Sequence, residues 1–205
     1  MDLEQFMRNN YPNLMLRPPL FYEWDIGVRF ELGVNMNENC HYMRDVYHRA
    51  IALFRALHKE DEKICIVANV HDFGRTRNSP ALSKYIRNKS VLYQLQHQTI
   101  PYVFPEDNEE GKWTTERFWL ECKPFDIHYT SLLQAICNQD MGIKPKMYHD
   151  IFFINIDRET IFHVYDDRGC DLIATSAESI RTMYDTYNEW ILDYDREKID
   201  EVFVR

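Results

Sequence analysis

The chain lacks the features that would send it across or into a membrane. Its first residues, Met1, Asp2, Leu3, Glu4 and Gln5, carry neither the positive n-region nor the apolar h-region of a secretory signal, so export is not expected. Its longest apolar stretches, Ile64 to Val70 and Ile151 to Ile154, fall far short of the roughly 20 residues a spanning helix needs. Cysteine is sparse too. Cys40, Cys65, Cys122, Cys137 and Cys170 are odd in number, widely spaced and include no C-x-x-C pair, which argues against a disulfide framework and for reduced thiols in a cytoplasmic protein. Positive charge is in deficit: 24 Lys and Arg face 33 Asp and Glu, for a net −9. A surface of that sign repels phosphate, so neither nucleic acid nor an anionic membrane is an expected partner. Internal repeats and low-complexity segments are absent, which excludes repeat architectures.

What is present is a core. With 45% hydrophobic and 14% aromatic residues in 205, the chain is too apolar to stay disordered. At this length a domain buries roughly 70% of its extended-chain surface, so folding requires no metal, disulfide or other cofactor. A single domain over residues 1–205 is expected, with the acidic loop at 105–112 as the one point where it would subdivide. Residues 2–9 suit a short helix, ended before Pro12 and the Pro18-Pro19 pair. Residues 26–32 alternate as a strand, and 39–58 carry Met43, Val46, Tyr47, Ala50, Ile51, Phe54 and Leu57 at helical spacing. Residues 63–70 read as a strand covered on both faces. A capped helix follows over 80–87, with Ser79 as N-cap and Pro80 at the first position. Residues 91–98 fit helix or strand, and the alternation of Val91, Tyr93 and Leu95 favours strand.

Residues 115–122 form a further strand and 129–137 a helix. Three apolar runs at 151–156, 160–165 and 170–174, separated by charged turns, form a β-meander. Thr175 and Glu178 have capping-box spacing, and Ile180, Met183, Tyr184, Tyr187 and Ile191 mark one long helix on the meander. The fold class is therefore α+β, a mainly antiparallel sheet of six or seven strands packed against about three helices. The strings YDDRGCD, from Tyr165 to Asp171, and YNEWILDYDR, from Tyr187 to Arg196, together with Arg29 to Gly33, resemble a Bacillus-type family of cytosolic proteins known only as a domain of unknown function. The resemblance covers about residues 18–203 and implies no activity, substrate or catalytic residue.

Four groups of residues are candidates for function. The acidic turn Asp166, Asp167, Arg168 and Asp171 has three carboxylates within six residues, enough to hold a hard cation. The same residues suit a hairpin turn in which Asp accepts backbone N–H groups, Gly169 is left-handed and Arg168 pairs locally. Residues 73–90 carry Arg75, Arg77, Lys84, Arg87 and Lys89 without an acid, and form either an anion clamp or a solvated face. Cys170, beside Arg168, becomes a nucleophile if His71 or His163 reaches it, and is otherwise a small buried residue. His41 and His48 share a helix face, but no third ligand accompanies them, so no metal site is expected.

The fourth group is the C-terminal segment 184–201, with seven acids (Asp185, Glu189, Asp193, Asp195, Glu197, Asp200, Glu201) against Arg196 and Lys198. Tyr187, Glu189, Trp190, Asp193 and Tyr194 form either a docking surface for a basic protein or a solvated helix face. With no catalytic motif in the chain, the leading expectation is a cytoplasmic protein-binding module. It would be an inhibitor or immunity-type protein that neutralises a basic toxin or enzyme. The alternative is an enzyme acting on a phosphorylated or nucleotide substrate, with Arg75 and Arg77 as clamps and the Asp166, Asp167, Asp171 turn supplying carboxylates. The sequence does not fix the oligomeric state.

Overall fold

A computed structural model describes residues 2–37, 40–72 and 81–204. Seven strands form one antiparallel sheet: β1 (Gly27–Glu31), β2 (Ile64–Asp72), β3 (Gln96–Pro101), β4 (Thr114–Cys122), β5 (Asp150–Asn155), β6 (Thr160–Val164) and β7 (Gly169–Ala174), in the order β1-β7-β6-β5-β2-β4-β3. The β5-β6-β7 meander thus forms one half of the sheet with β1 on its rim, while the β3-β4 hairpin and β2 form the other. The acidic loop lies between β3 and β4, neighbouring strands of that sheet, and includes a short 3-10 turn at Pro105–Asp107.

Period-two alternation sends successive side chains to opposite faces, and both faces are covered. One face buries Ile66, Phe153, Phe162 and Leu172 under α3 (Tyr42–Leu57), α4 (Tyr129–Cys137), α5 (Ala177–Thr186) and α6 (Arg196–Phe203). The other buries Val67, Phe152, Ile161 and Ile173 under α1 (Leu3–Asn10) and the segment from Tyr11 to Leu20, just before the single turn α2 (Leu20–Glu23). That double cover is why residues 64–70 of β2 are buried on both faces.

Three local expectations fail. Residues 89–94 form a 3-10 helix, capped by the Asn88 side chain accepting from the Ser90 N–H at 3.2 Å, and the strand begins only at Gln96. Ser79 and Pro80 lie outside the described residues, and Ala81–Tyr85 is a 3-10 helix. The long C-terminal helix is broken. Ser176, not Thr175, caps α5 by accepting from Ser179, and α5 ends at Thr186. Two 3-10 turns, Asn188–Trp190 and Asp193–Asp195, precede α6. The break has a physical cause: β1 is an edge strand with unpaired backbone groups. Ile191 bridges Phe30, and the Leu192 N–H donates to the Arg29 carbonyl at 2.9 Å.

Candidate functional site

The break in the C-terminal helix decides what that segment displays. Residues 191–192 are tied to β1, and the turn after them projects Tyr194, which is 86% exposed. Arg196 braces the turn from behind: its Nη1 donates to Asn188 Oδ1 at 3.0 Å, its Nη2 to the Asn188 carbonyl at 2.9 Å, and its Nε to Asp193 Oδ1 at 3.2 Å. The other two aromatics serve packing. Tyr187 and Trp190 are half-buried, with ring centroids 4.9 Å apart, and Arg49 lies 5.2 Å from the Trp190 ring.

Burial also sorts the acids. Asp195 is buried and accepts from the Tyr22 hydroxyl at 3.0 Å, and Asp200 accepts from the Tyr184 hydroxyl at 2.8 Å. Asp185, Glu189, Asp193, Glu197 and Glu201 remain exposed, and Tyr194 sits among them in sequence.

The acidic turn does not converge. Asp166 accepts the backbone N–H of Arg168 at 2.7 Å and the Arg168 Nε at 2.8 Å, while Asp167 accepts the Tyr42 hydroxyl at 2.6 Å. Asp171 lies inside β7, fully buried, opposite Arg29 in the β1–β7 register. It receives Arg29 Nε at 2.7 Å, Arg29 Nη2 at 2.9 Å and the Phe21 N–H at 3.2 Å. Burial pushes the Arg29 guanidinium down, but the Asp171 carboxylate outweighs it and the net shift is upward. Burial and the bond to Asp167 likewise raise Tyr42.

A depression of about 610 Å³ opens over Arg29, Tyr165 and Arg168, yet both cations on its lining already hold carboxylates. The expectation that Gly169 is left-handed is wrong. Gly169 is extended in β7, and glycine is needed because a Cβ there would lie 2.1 Å from the Tyr165 hydroxyl and 2.6 Å from the Phe30 carbonyl.

Of the basic segment, Arg75 and Arg77 lie outside the described residues. Lys84 and Arg87 are exposed, and the Arg87 N–H donates to the Asp126 carbonyl at 2.7 Å. Cys170 has no imidazole at hand. Its side chain faces the helical layer, whereas His163, paired in register with Asp171, faces the other side and stacks on Phe152 at 4.5 Å. Burial raises the Cys170 thiol well above its ordinary value, so it is a small apolar residue of the core. His71 sits at the far end of β2, its Nε2 2.9 Å from Asp150 Oδ2 and its Nδ1 3.4 Å from Thr115 Oγ1. Among the described residues, no group of three His, Cys, Asp or Glu is placed to hold a metal ion, and the His48 ring packs edge-on against Trp190 at 6.0 Å.

Sequence reasoning missed three cross-strand polar pairs: Arg29 with Asp171, which is buried, and two part-buried ones, His71 with Asp150 and His97 with Glu116, to which Thr99 also donates at 2.9 Å. Each joins residues on different strands. Only the strand order could have revealed them, and a single sequence does not carry it.

A family model described as Domain of unknown function (DUF3885) matches residues 3–195. The chain is 33% identical over 211 residues to a protein of Bacillus subtilis (strain 168) described as Uncharacterized protein YnaE, covering 95% of this chain and 99% of that one. No solved structure matches.

Proposed function

The chain belongs to the DUF3885 family, and we propose that it acts as a cytoplasmic protein-binding module of inhibitor or immunity type, which neutralises a basic toxin or enzyme by presenting carboxylates. The observation that carries this reading is Tyr194, 86% exposed on a turn braced by Arg196 and tied to the sheet edge. A rigid aromatic in water contributes nothing to its own fold, and it is the kind of residue that anchors an interface. Five exposed carboxylates flank it in sequence, against Lys198 as the one exposed base of the segment 184–201. Such a field accelerates encounter with a basic partner and repels acidic ones. Five free thiols support the cytoplasmic setting, and no described helix is long and apolar enough to cross a membrane.

The test is capture by the immobilised chain from its host, followed by binding kinetics with the recovered protein. A basic partner is expected, with an association rate that falls steeply with salt because the Debye length shrinks to about 10 Å at 0.1 M. Tyr194→Ala should weaken the complex by roughly 2 kcal/mol or more, as for an interface anchor, and should leave stability unchanged because the ring touches little. Glu189→Lys with Asp193→Lys should slow association. If both variants bind the partner with unchanged rate and salt dependence, this surface is not the docking site.

A further inference from the structure

Behind the sheet, on the face opposite α3, a cavity of about 430 Å³ lies between α1, the segment from Asn13 to Leu16, and the β3-β4 edge. Its size falls within the roughly 300–1,000 Å³ typical of small-molecule sites. The chain builds it by turning sharply after α1, where Asn13 adopts a left-handed φ of 67° and the following residues run back over the sheet without filling the space above β3 and β4. Leu3, Met7, Leu14 and Ile100 give it apolar walls, and Met15, 45% exposed, stands at its mouth.

Two groups on that wall are not satisfied by the protein. Arg117 and Trp119 are two apart on β4, so their side chains leave the same face of the sheet. A guanidinium has five N–H donors. Arg117 uses its Nε on Asn69 Oδ1 at 2.9 Å and its Nη2 on the Leu16 carbonyl at 3.4 Å, and its Nη1 has no partner among the described residues. It also lacks a carboxylate within ion-pair distance among them. Glu4, the one acid on the lining, is exposed and turned to Arg8 at 3.7 Å. Burial pushes the Arg117 guanidinium down to about 10, with Glu4 opposing the shift from a distance. The indole N–H of Trp119 is buried and unpartnered. Buried cations are ordinarily paired, and buried donors ordinarily bonded. Arg117 is a half-buried cation with no carboxylate partner among the described residues, on the lining of an apolar cavity in a protein with net charge −9, and a bound anion would pair it.

We infer that this cavity is a binding site for a small amphipathic carboxylate, whose apolar body lies against Met7, Leu14 and Ile100 and whose carboxylate accepts from Arg117 Nη1 and Nη2. The site is independent of the Tyr194 surface, which belongs to the opposite rim of the sheet.

The test is displacement of the fluorescent probe anilinonaphthalene sulfonate by decanoate, with decanol as the neutral control, on the intact chain. Saturable displacement by decanoate is expected, with decanol weaker by roughly tenfold or more, the margin a charge-assisted bond supplies. Arg117→Gln should abolish that preference. Arg117 also braces Asn69 and Leu16, so a second variant guards against misfolding: Met15→Glu, at an exposed position, should weaken decanoate and leave decanol unchanged. Equal displacement by the two ligands, no displacement by either, or decanoate binding unchanged in Met15→Glu and Arg117→Gln would overturn the assignment.

Discussion

Removing the Asp171 carboxylate should destabilise the protein more than almost any other single polar change. In Asp171→Ala, Arg29 loses two charged hydrogen bonds, at 2.7 and 2.9 Å, and the buried Phe21 N–H loses its acceptor. What remains for Arg29 is Asp195 at 3.9 Å, the ring of Tyr22 at 4.5 Å and the rings of Phe21 and Tyr165, each at 5.4 Å. Breaking a buried ion pair from one side costs about 3–5 kcal/mol. Two charged hydrogen bonds at about 1.5–3 kcal/mol each give about 3–6 kcal/mol, which overlaps that range. For a 205-residue chain this corresponds to a fall in Tm of roughly 6–20 °C.

Urea unfolding followed by tryptophan fluorescence measures it directly, with the midpoint falling and the slope unchanged. The double variant Arg29→Met with Asp171→Leu should recover most of the loss, because a well-packed apolar pair often equals a buried ion pair. It should remain short of wild type by the roughly 1–3 kcal/mol of the orphaned Phe21 N–H. A loss under about 1 kcal/mol in Asp171→Ala, or a double variant no more stable than the single one, would refute this account of Arg29.

Stability should also fall in mild acid because of His58. Burial pushes its imidazole down to about 3, against a partial upward pull from Glu62, so between about pH 6.5 and 3 the unfolded chain binds a proton that the folded chain refuses. The contribution is fully present above pH 6.5 and is lost at up to about 1.4 kcal/mol per pH unit below it. His58→Asn should flatten the stability profile between pH 6.5 and 5, and an unchanged slope would exclude His58 as the cause. Thiol titration should modify only exposed Cys40 in the folded protein and all five cysteines after denaturation without reductant. The reason is burial, which pushes the Cys65 thiol up to about 12 and raises Cys122, Cys137 and Cys170 as well.

The elements that were legible in the sequence are those whose hydrophobic period is set by one neighbouring layer. The stripe Val46, Ala50, Phe54, Leu57 faces the sheet, where Phe54 meets Phe153 and Phe162, and α3 lies where the spacing predicts. The meander at 150–174 shows itself through charged turns between apolar runs. The stripe from Ile180 to Ile191 misleads because Ile191 is buried by a strand and not by the helix: α5 ends at Thr186, a 3-10 turn follows, and Ile191 bridges Phe30 at the edge of the sheet. Likewise Gly169 has the residue type of a turn glycine but is required by the approach of Tyr165 and the Phe30 carbonyl, contacts over more than a hundred residues in one case. Arg117 gave no signal at all, since one arginine in an alternating strand reads as solvent-facing until the covering segment from Asn13 to Leu16 is in place.

The charge of the C-terminal segment shows why counting acids overstates a docking surface and still locates it. Seven acids fall between Tyr184 and Glu201. Asp195 belongs to the Arg29 cluster and Asp200 to Tyr184, so these two hold the segment down. Arg29 makes both ends of that attachment: its carbonyl accepts the Leu192 N–H, and its guanidinium lies 3.9 Å from Asp195, on either side of Tyr194. A turn fixed at both ends loses little conformational freedom when a partner binds, and a preorganised aromatic retains more of its contact energy as affinity. The buried ion pair and the exposed tyrosine are thus parts of one arrangement. Arg29 and Asp171 secure the strand edge, the strand edge sets the turn, and the turn leaves Tyr194 in water among exposed carboxylates, of which only Asp193 has an ion-pair partner among the described residues, Arg196 at 3.2 Å.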